Sequence, residues 1–380
     1  MAQRGTSLMT HPRHPHAAQG SDSQLLRVLA WESTRACTLA CPHCRASAVD
    51  MRDPDELTTA EAMQMLESAA ELGKSIIILS GGEPLLREDL EQIAARAVEL
   101  GHRPVVSCND GRLLPDSRIA SLAAAGIRHF SFSMHSELES DHDQFVRVEG
   151  AYREALLAFE RIKKHGLSFQ INTTVLPGNH ERLEAIKNWV VEMGAASWHL
   201  FFIVPMGRAS GAGSEIDMKQ TQIDTVLRYV AAESDDWPIP VKVTCAPQYA
   251  QIRAMMGKDP GSRGRSCMAG SGFVFVSWCG DVKPCGYFDL VVGNIRQTPL
   301  SQIYRESAEL RDMRTPEKFS GICGKCKFNR VCGGCRARAY AVNGSYLASD
   351  PNCNYSAGQD GEIAVSFVHP QTCDSTGSID

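Results

Sequence analysis

Cys37, Cys41 and Cys44 stand in the run Glu32-Ser-Thr-Arg-Ala-Cys-Thr-Leu-Ala-Cys-Pro-His-Cys-Arg-Ala, directly after an apolar segment. Their C-x3-C-x2-C spacing offers three thiolates to an iron-sulfur cubane that usually takes four. One iron is left open, and an open iron binds and reduces a small molecule, so the triad points to chemistry rather than storage. A second signal, Ser80-Gly81-Gly82-Glu83-Pro84, follows the apolar run Ile76-Ile77-Ile78-Leu79. Its glycines let backbone come close to a ligand, and Glu83 offers an acceptor for an ammonium group. An ordinary strand-to-helix turn is the other reading. The third pattern is Cys267, twelve residues, Gly280-x4-Cys285, then Cys323-x2-Cys326-x5-Cys332-x2-Cys335 and finally Cys353. Paired C-x2-C motifs also suit a zinc ribbon.

The chain of 380 residues is long enough for one large domain and a smaller one. A formal net charge of -5 argues against a broad electrostatic grip on nucleic acid or an anionic membrane. No apolar stretch is long enough to span a bilayer and the N-terminus lacks a secretory core, so a cytoplasmic protein is expected. Fourteen cysteines in a reducing compartment suggest metal binding rather than disulfides.

The elements that must position these residues follow from periodicity. Residues 1–23 are polar and aperiodic and read as a disordered arm; His11, His14 and His16 there read as solvated. Short apolar runs at Leu26–Trp31, Ser75–Leu79, Pro104–Ser107, His129–Ser133, Phe169–Val175 and Trp198–Val204 predict buried strands. Thr58 and Glu61 predict a capping box opening a helix that Gly73 ends. Further helices are expected over 88–100, 116–125, 151–165, 181–193 and 220–233. This alternation predicts an α/β fold: a partial (β/α)6 TIM-like barrel over 24–235, with chemistry at the C-terminal ends of its strands. Beyond about residue 240 the alternation fades and cysteines become dense. A small loop-rich domain stapled by metal is expected over 236–355, and a tail over 356–380.

The C-x3-C-x2-C triad and Gly81-Gly82-Glu83-Pro84 resemble the two signatures of the radical S-adenosylmethionine (SAM) superfamily, in the right order and context. The resemblance implies a [4Fe-4S] cluster on Cys37, Cys41 and Cys44. Its open iron would be chelated by the methionyl amine and carboxylate of S-adenosylmethionine, with Gly81, Gly82, Glu83 and Pro84 at that cofactor. It implies cleavage to a 5′-deoxyadenosyl radical that abstracts hydrogen from substrate. Ser133 stands where relatives often carry a polar contact to S-adenosylmethionine, a capping serine being the other reading. Asn109 stands where relatives show Thr-Asn-Gly, with Asp110 looking inserted. His135 replaces an Asp often found there and is a candidate substrate contact.

The downstream cysteines resemble the SPASM extension of these enzymes, which implies one or two auxiliary [4Fe-4S] clusters. By motif position Cys323, Cys326, Cys332 and Cys353 would ligate one. Cys267, Cys285 and Cys335 would supply three ligands to the other, leaving an open iron or a fourth ligand such as Cys279. The usual spacing before the last clustered cysteine is three residues, and here it is two. Cys108, Cys245 and Cys373 belong to no motif and read as buried or tail thiols.

Wider resemblance, carried by Trp31-Glu32-Ser-Thr-Arg35, His43-Cys44-Arg45-Ala46, Pro205-Met-Gly207-Arg208, Lys283-Pro-Cys285-Gly286-Tyr287 and Cys332-Gly-Gly-Cys335-Arg336-Ala-Arg338-Ala-Tyr340, is to the tetrapyrrole-modifying branch. Within it the chain is most similar to the iron-coproporphyrin III decarboxylases, or heme b synthases, of the siroheme-dependent heme pathway. That implies oxidative decarboxylation of two propionates to vinyl groups, an iron-porphyrin substrate, and an external electron donor such as flavodoxin or ferredoxin. Neither nucleic acid nor membrane is an expected partner. Arg147, Arg208, Arg336 and Arg338 are candidate propionate partners, because Arg pairs with carboxylates in bidentate fashion. His199 and His135 are candidate ligands of the substrate iron. The alternatives are maturation of a ribosomally made peptide and a sister tetrapyrrole reaction on didecarboxysiroheme or toward heme d1. An electron carrier or iron-sulfur sensor is the non-enzymatic reading.

Overall fold

A computed structural model describes residues 25–211, 213, 216–261 and 265–353. The expected arm with its histidines, the expected tail and Cys373 lie outside the described residues. All six expected strands form, their ends shifted by at most three residues: β1 (Val28–Glu32), β2 (Ile76–Ser80), β3 (Arg103–Ser107), β4 (His129–Ser133), β5 (Ser168–Thr174) and β6 (Ser197–Phe201). The helices between and after them are α1 (Thr59–Ala70), α2 (Leu90–Glu99), α3 (Asp116–Ala124), α4 (Glu139–Val146), α5 (Ala151–Lys164), α6 (Leu183–Glu192) and α7 (Gln220–Glu233). The Thr58 and Glu61 capping box is complete, each side chain meeting the other residue's backbone N–H. Helix α4 was not signalled: its sequence ESDHDQFV buries only His142 and Val146, too few apolar positions to mark a period.

The sheet continues past residue 235. Strand β7 (Val241–Thr244) pairs in parallel with β6 before α8 (Gln248–Met255), and β8 (Phe273–Val276) returns to pair in parallel with β1. Two short antiparallel strands, β9 (Asp281–Lys283) and β10 (Gly293–Asn294), complete the order β10-β9-β8-β1-β2-β3-β4-β5-β6-β7. Four-residue strands carry too little pattern to be read singly, and β8 owes its place to a partner 245 residues earlier in the chain, Val28 standing opposite Phe273. Helices α9 (Leu300–Glu306), α10 (Ala308–Met313), α11 (Gly321–Lys325) and α12 (Arg336–Asn343) follow. Helix α9 docks on α1, where the Ser301 N–H donates to Ser68 Oγ at 2.9 Å. No helix among the described residues is long and apolar enough to cross a membrane.

Alternation along each strand sorts the sheet into two faces. Leu29, Trp31, Ile77, Leu79, Phe130, Phe132, Phe169, Ile171, Trp198 and Leu200 are buried in the main core under the helices. The opposite parity lines the inner face. There Val28 and Ala30 stand beside Ile76 and Ile78 and beside Phe273 and Phe275, forming an apolar wall. Farther round, Ser131, Ser133, Gln170, Asn172, Ser197, His199 and Lys242 stand in register as a polar wall. That wall is hydrogen-bonded: Asn172 Nδ2 donates to Ser131 Oγ at 2.7 Å, and Gln170 Nε2 lies 3.0 Å from His199 Nδ1.

Candidate functional site

The cysteine triad lies in the long connection from β1 to α1, which the rest of the barrel mouth holds in place. Cys37 N–H donates to Val49 O at 2.8 Å, and Cys44 N–H to Cys41 O at 3.3 Å. Thr38 Oγ1 donates to Asp110 Oδ2 at 2.7 Å, so the residue that looked inserted anchors the loop. Burial, together with a neighbouring cysteine beside each, pushes the Cys37 and Cys41 thiols up to about 12. Thiols this reluctant to ionise stay protonated at neutral pH until a metal displaces the proton. Three cysteines converging after one strand fit three corners of a cluster.

The Gly-Gly-Glu-Pro segment packs against this loop. Gly82 N–H donates to Thr34 O at 2.7 Å and Glu83 N–H to Ala36 O at 2.6 Å. A Cβ on Gly82 would sit 2.2 Å from Ala36 O, so the glycine is required by protein backbone. Glu83 differs from expectation. Its Oε2 accepts from Asn109 N–H at 2.7 Å and Asp110 N–H at 3.0 Å, and its Oε1 from Leu85 N–H at 3.2 Å. The fully buried carboxyl is raised to about 7 by desolvation, against those three donors. Its oxygens tie two loops together instead of waiting for an ammonium group. Asn109 Oδ1 in turn accepts from Ser133 N–H at 2.9 Å. Gly81, Gly82, Glu83, Pro84, Asn109 and Ser133 are thus gathered with the triad at the C-terminal ends of β1 to β4.

The substrate candidates separate. Arg336 is fully buried, with hydrogen bonds to Gly334 O, Tyr346 O, Ala348 O and Cys323 Sγ. Arg338, also buried, reaches Ile203 O at 3.0 Å, Cys245 O at 2.7 Å and Asp350. Both guanidinium groups are consumed within the fold, which removes them as propionate partners. Arg208 donates to Cys41 O at 2.9 Å and Ala48 O at 3.1 Å, so it braces the cysteine loop. Arg147 is exposed at the end of α4 and close enough to Cys41 to lower its pKa. His135 is buried with its ring 4.7 Å from that of His43, and its Nδ1 accepts from Thr174 N–H. His199 faces the barrel interior, and burial with nearby Lys242 lowers its pKa to about 3. The imidazole is neutral there.

Sequence reading missed the residues between the two cysteine groups. Arg45 lies 3.8 Å from buried Glu32 and its guanidinium sits 4.5 Å from the Phe275 ring centroid. Glu32 is raised, burial outweighing Arg45 and Lys283. Tyr287 is partly buried in the neighbourhood of Cys44, Cys245, Cys285 and Arg45, and desolvation raises its hydroxyl. These residues had appeared only inside motif strings.

Cys323, Cys326, Cys332 and Cys353 line a single cavity, with Gln248 and Gln251 of α8 at its wall. Cys323 Sγ accepts from Asp350 N–H at 3.4 Å, Cys326 Sγ from Phe328 N–H at 3.4 Å and Cys332 Sγ from Gly334 N–H at 3.4 Å. Donors of this kind orient and tune cluster sulfurs. Among the described residues no three His, Cys, Asp or Glu donors close on the point a single metal ion would occupy. The four cysteines around a cavity suit a polynuclear cluster. Cys267 and Cys285 pack with Cys335 in a separate small core. Cys279 lies on the β8–β9 connection, its Sγ 3.3 Å from Ser277 Oγ.

Comparison with known proteins finds two family matches along the chain. Residues 31–190 match the radical SAM superfamily and residues 267–335 match SPASM, an iron-sulfur cluster-binding domain. A protein of Oleidesulfovibrio alaskensis named AdoMet-dependent heme synthase is 38% identical over 344 residues, covering 88% of both chains. One of the same name from Methanosarcina barkeri is 38% identical, covering 88% of this chain and 97% of its own. Streptococcus suis SuiB, solved with S-adenosylmethionine, superposes with a TM-score of 0.68 at 15% identity over 87% of this chain and 78% of its own. At that identity the likeness is one of fold. The chain belongs to the radical SAM superfamily, to the branch whose enzymes carry a SPASM iron-sulfur domain after the barrel.

Proposed function

We propose that this enzyme removes carboxyl groups from two propionates of iron-coproporphyrin III, leaving vinyl groups and giving heme b. The observation that carries the reading is the match along 88% of the chain to proteins named AdoMet-dependent heme synthase. The barrel interior supports it physically. A macrocycle with apolar faces and a charged rim is complementary to a chamber whose wall is apolar at β8, β1 and β2 and polar from β4 to β7.

Cys37, Cys41 and Cys44 hold the [4Fe-4S] cluster in this reading, with Gly81, Gly82, Glu83, Pro84, Asn109 and Ser133 shaping the S-adenosylmethionine site. Cys323, Cys326, Cys332 and Cys353 hold one auxiliary cluster, and Cys267, Cys285 and Cys335 belong to another. When bound, the cofactor supplies a 5′-deoxyadenosyl radical able to take hydrogen from a propionate β carbon. Each propionate would then lose carbon dioxide and give up one electron, for which an auxiliary cluster would be the acceptor, as the vinyl group forms. Arg147 and, newly, Arg45 and Lys242 are the cations left to meet propionates. Neutral His199 offers a nitrogen lone pair toward the substrate iron. The cluster's electron comes from an external donor such as flavodoxin or ferredoxin.

The test is to incubate anaerobically reconstituted enzyme with reductant, S-adenosylmethionine and iron-coproporphyrin III, and to follow products by mass. Stepwise loss of two carboxyl groups is expected. Abundant 5′-deoxyadenosine with unaltered porphyrin would overturn the reading.

A further inference from the structure

The Cys267, Cys285 and Cys335 group has a fourth cysteine that no motif contains. Cys245 follows β7 directly, at the same end of the sheet as the triad, and lies outside the span that matches the SPASM domain. Together with Cys267 and Cys285 it packs against the small core formed by Val204, Phe288, Met313 and Cys335. Its backbone has φ +64°, a left-handed conformation that a residue with a Cβ adopts at a cost of roughly 1 kcal/mol or more. Something must hold it there, and Arg338 does: its Nη2 donates to Cys245 O at 2.7 Å. The same residue donates its backbone N–H to Cys335 Sγ at 3.5 Å. Arg338 therefore fixes two members of the group against each other, with Asp350 behind it receiving Cys335 N–H at 2.6 Å. Burial raises the Cys245 thiol well above its ordinary range, and neighbouring Cys335, Cys285 and Cys267 raise it further.

We propose that Cys245 is the fourth ligand of the auxiliary cluster held by Cys267, Cys285 and Cys335, so that all four corners are closed by protein. This rests on the reading above that the group holds a cluster. Cys279, which sequence position suggested for the role, stands instead beside Ser277 and Asp281 on the β8–β9 connection. A closed cluster exchanges electrons but offers no iron to a substrate. It also makes β7, the edge strand of the sheet, part of the metal domain, so the two regions share one site.

The test uses the full chain with Cys37, Cys41 and Cys44 replaced by Ala, leaving only auxiliary clusters, about 8 irons per chain if there are two cubanes. The reduced protein is titrated with 13C-cyanide and examined by electron paramagnetic resonance and hyperfine spectroscopy. The parent is expected to show no 13C coupling. Adding Cys245→Ala opens one iron, and a 13C coupling appears on one cluster signal while the other is unchanged. Should the alanine variant lose that cluster, Cys245→Ser keeps the volume and an oxygen ligand, and a changed g-tensor on that one signal supports the proposal. Cys279→Ala is expected to match the parent. Cyanide coupling already present in the parent, or Cys245→Ala and Cys245→Ser spectra identical to the parent's, would overturn the assignment. A parent with no iron beyond one cluster would instead overturn the reading beneath it.

Discussion

Gly82 illustrates how little room the site leaves at a single residue. Its backbone lies against Ala36 O, one position before the first cysteine of the triad. Gly82→Ala must push the two backbones apart, and overpacking against backbone destabilises by about 1–3 kcal/mol. The displaced segment carries Cys37. Reconstituted Gly82→Ala enzyme is expected to hold about 4 fewer irons per chain, the content of one cubane. Full iron content, measured colorimetrically, would contradict this. Glu83 makes the companion point: its carboxylate is spent on three backbone N–H groups of the fold, so its presence in the motif reflects loop assembly.

At the scale of elements, the loop bearing the triad is held from two sides of the barrel mouth. Asp110 after β3 takes Thr38, and Arg208, in the helical turn over Gly207–Gly211 after β6, takes the carbonyls of Cys41 and Ala48. Arg208→Ala removes two partly buried hydrogen bonds to backbone carbonyls, each worth about 1.5–3 kcal/mol when the donor is charged. It is expected to lower reductive cleavage of S-adenosylmethionine at least tenfold even without porphyrin, and Arg208→Lys to recover part of it by reaching one carbonyl. Porphyrin affinity lost with cleavage intact would restore Arg208 as a propionate partner. Arg336 and Arg338 behave likewise, since both spend their donors inside the metal domain.

For the whole molecule, acid sensitivity follows from histidines buried as neutral rings. Burial lowers His142 to about 4 and His199 to about 3, both depressed from an ordinary value near 6.5. The unfolded chain therefore binds more protons below about pH 6.5, and stability present above that pH is lost as pH falls toward these lowered values. Each ring removes about 1 kcal/mol between pH 7.5 and 5.5. His142 Nδ1 accepts from His135 N–H, and His142→Asn keeps an acceptor there without a titratable ring. Its unfolding free energy is expected to fall less steeply with acid than that of the wild type. Parallel slopes in denaturant melts at the two pH values would contradict the assignment.

Local patterns in the sequence determined much of this protein. Cysteine spacings, the Gly-Gly-Glu-Pro turn, the Thr58 and Glu61 capping box and the strand and helix periodicity each depend on residues close along the chain. Neighbour interactions alone define them, so the six strands, their helices and the gathering of the triad with Gly81 to Pro84 could be read. Tertiary structure decided the rest. Phe273–Val276 became a strand by pairing with β1, Cys245 joined a cysteine group through the fold of β7 and α12, and the Arg336, Arg338 and Glu83 side chains were claimed by distant backbone. Hydrogen-bond partners and burial belong to the assembled chain. A single arginine or cysteine in sequence carries no mark of whether its partner is a ligand or the protein itself.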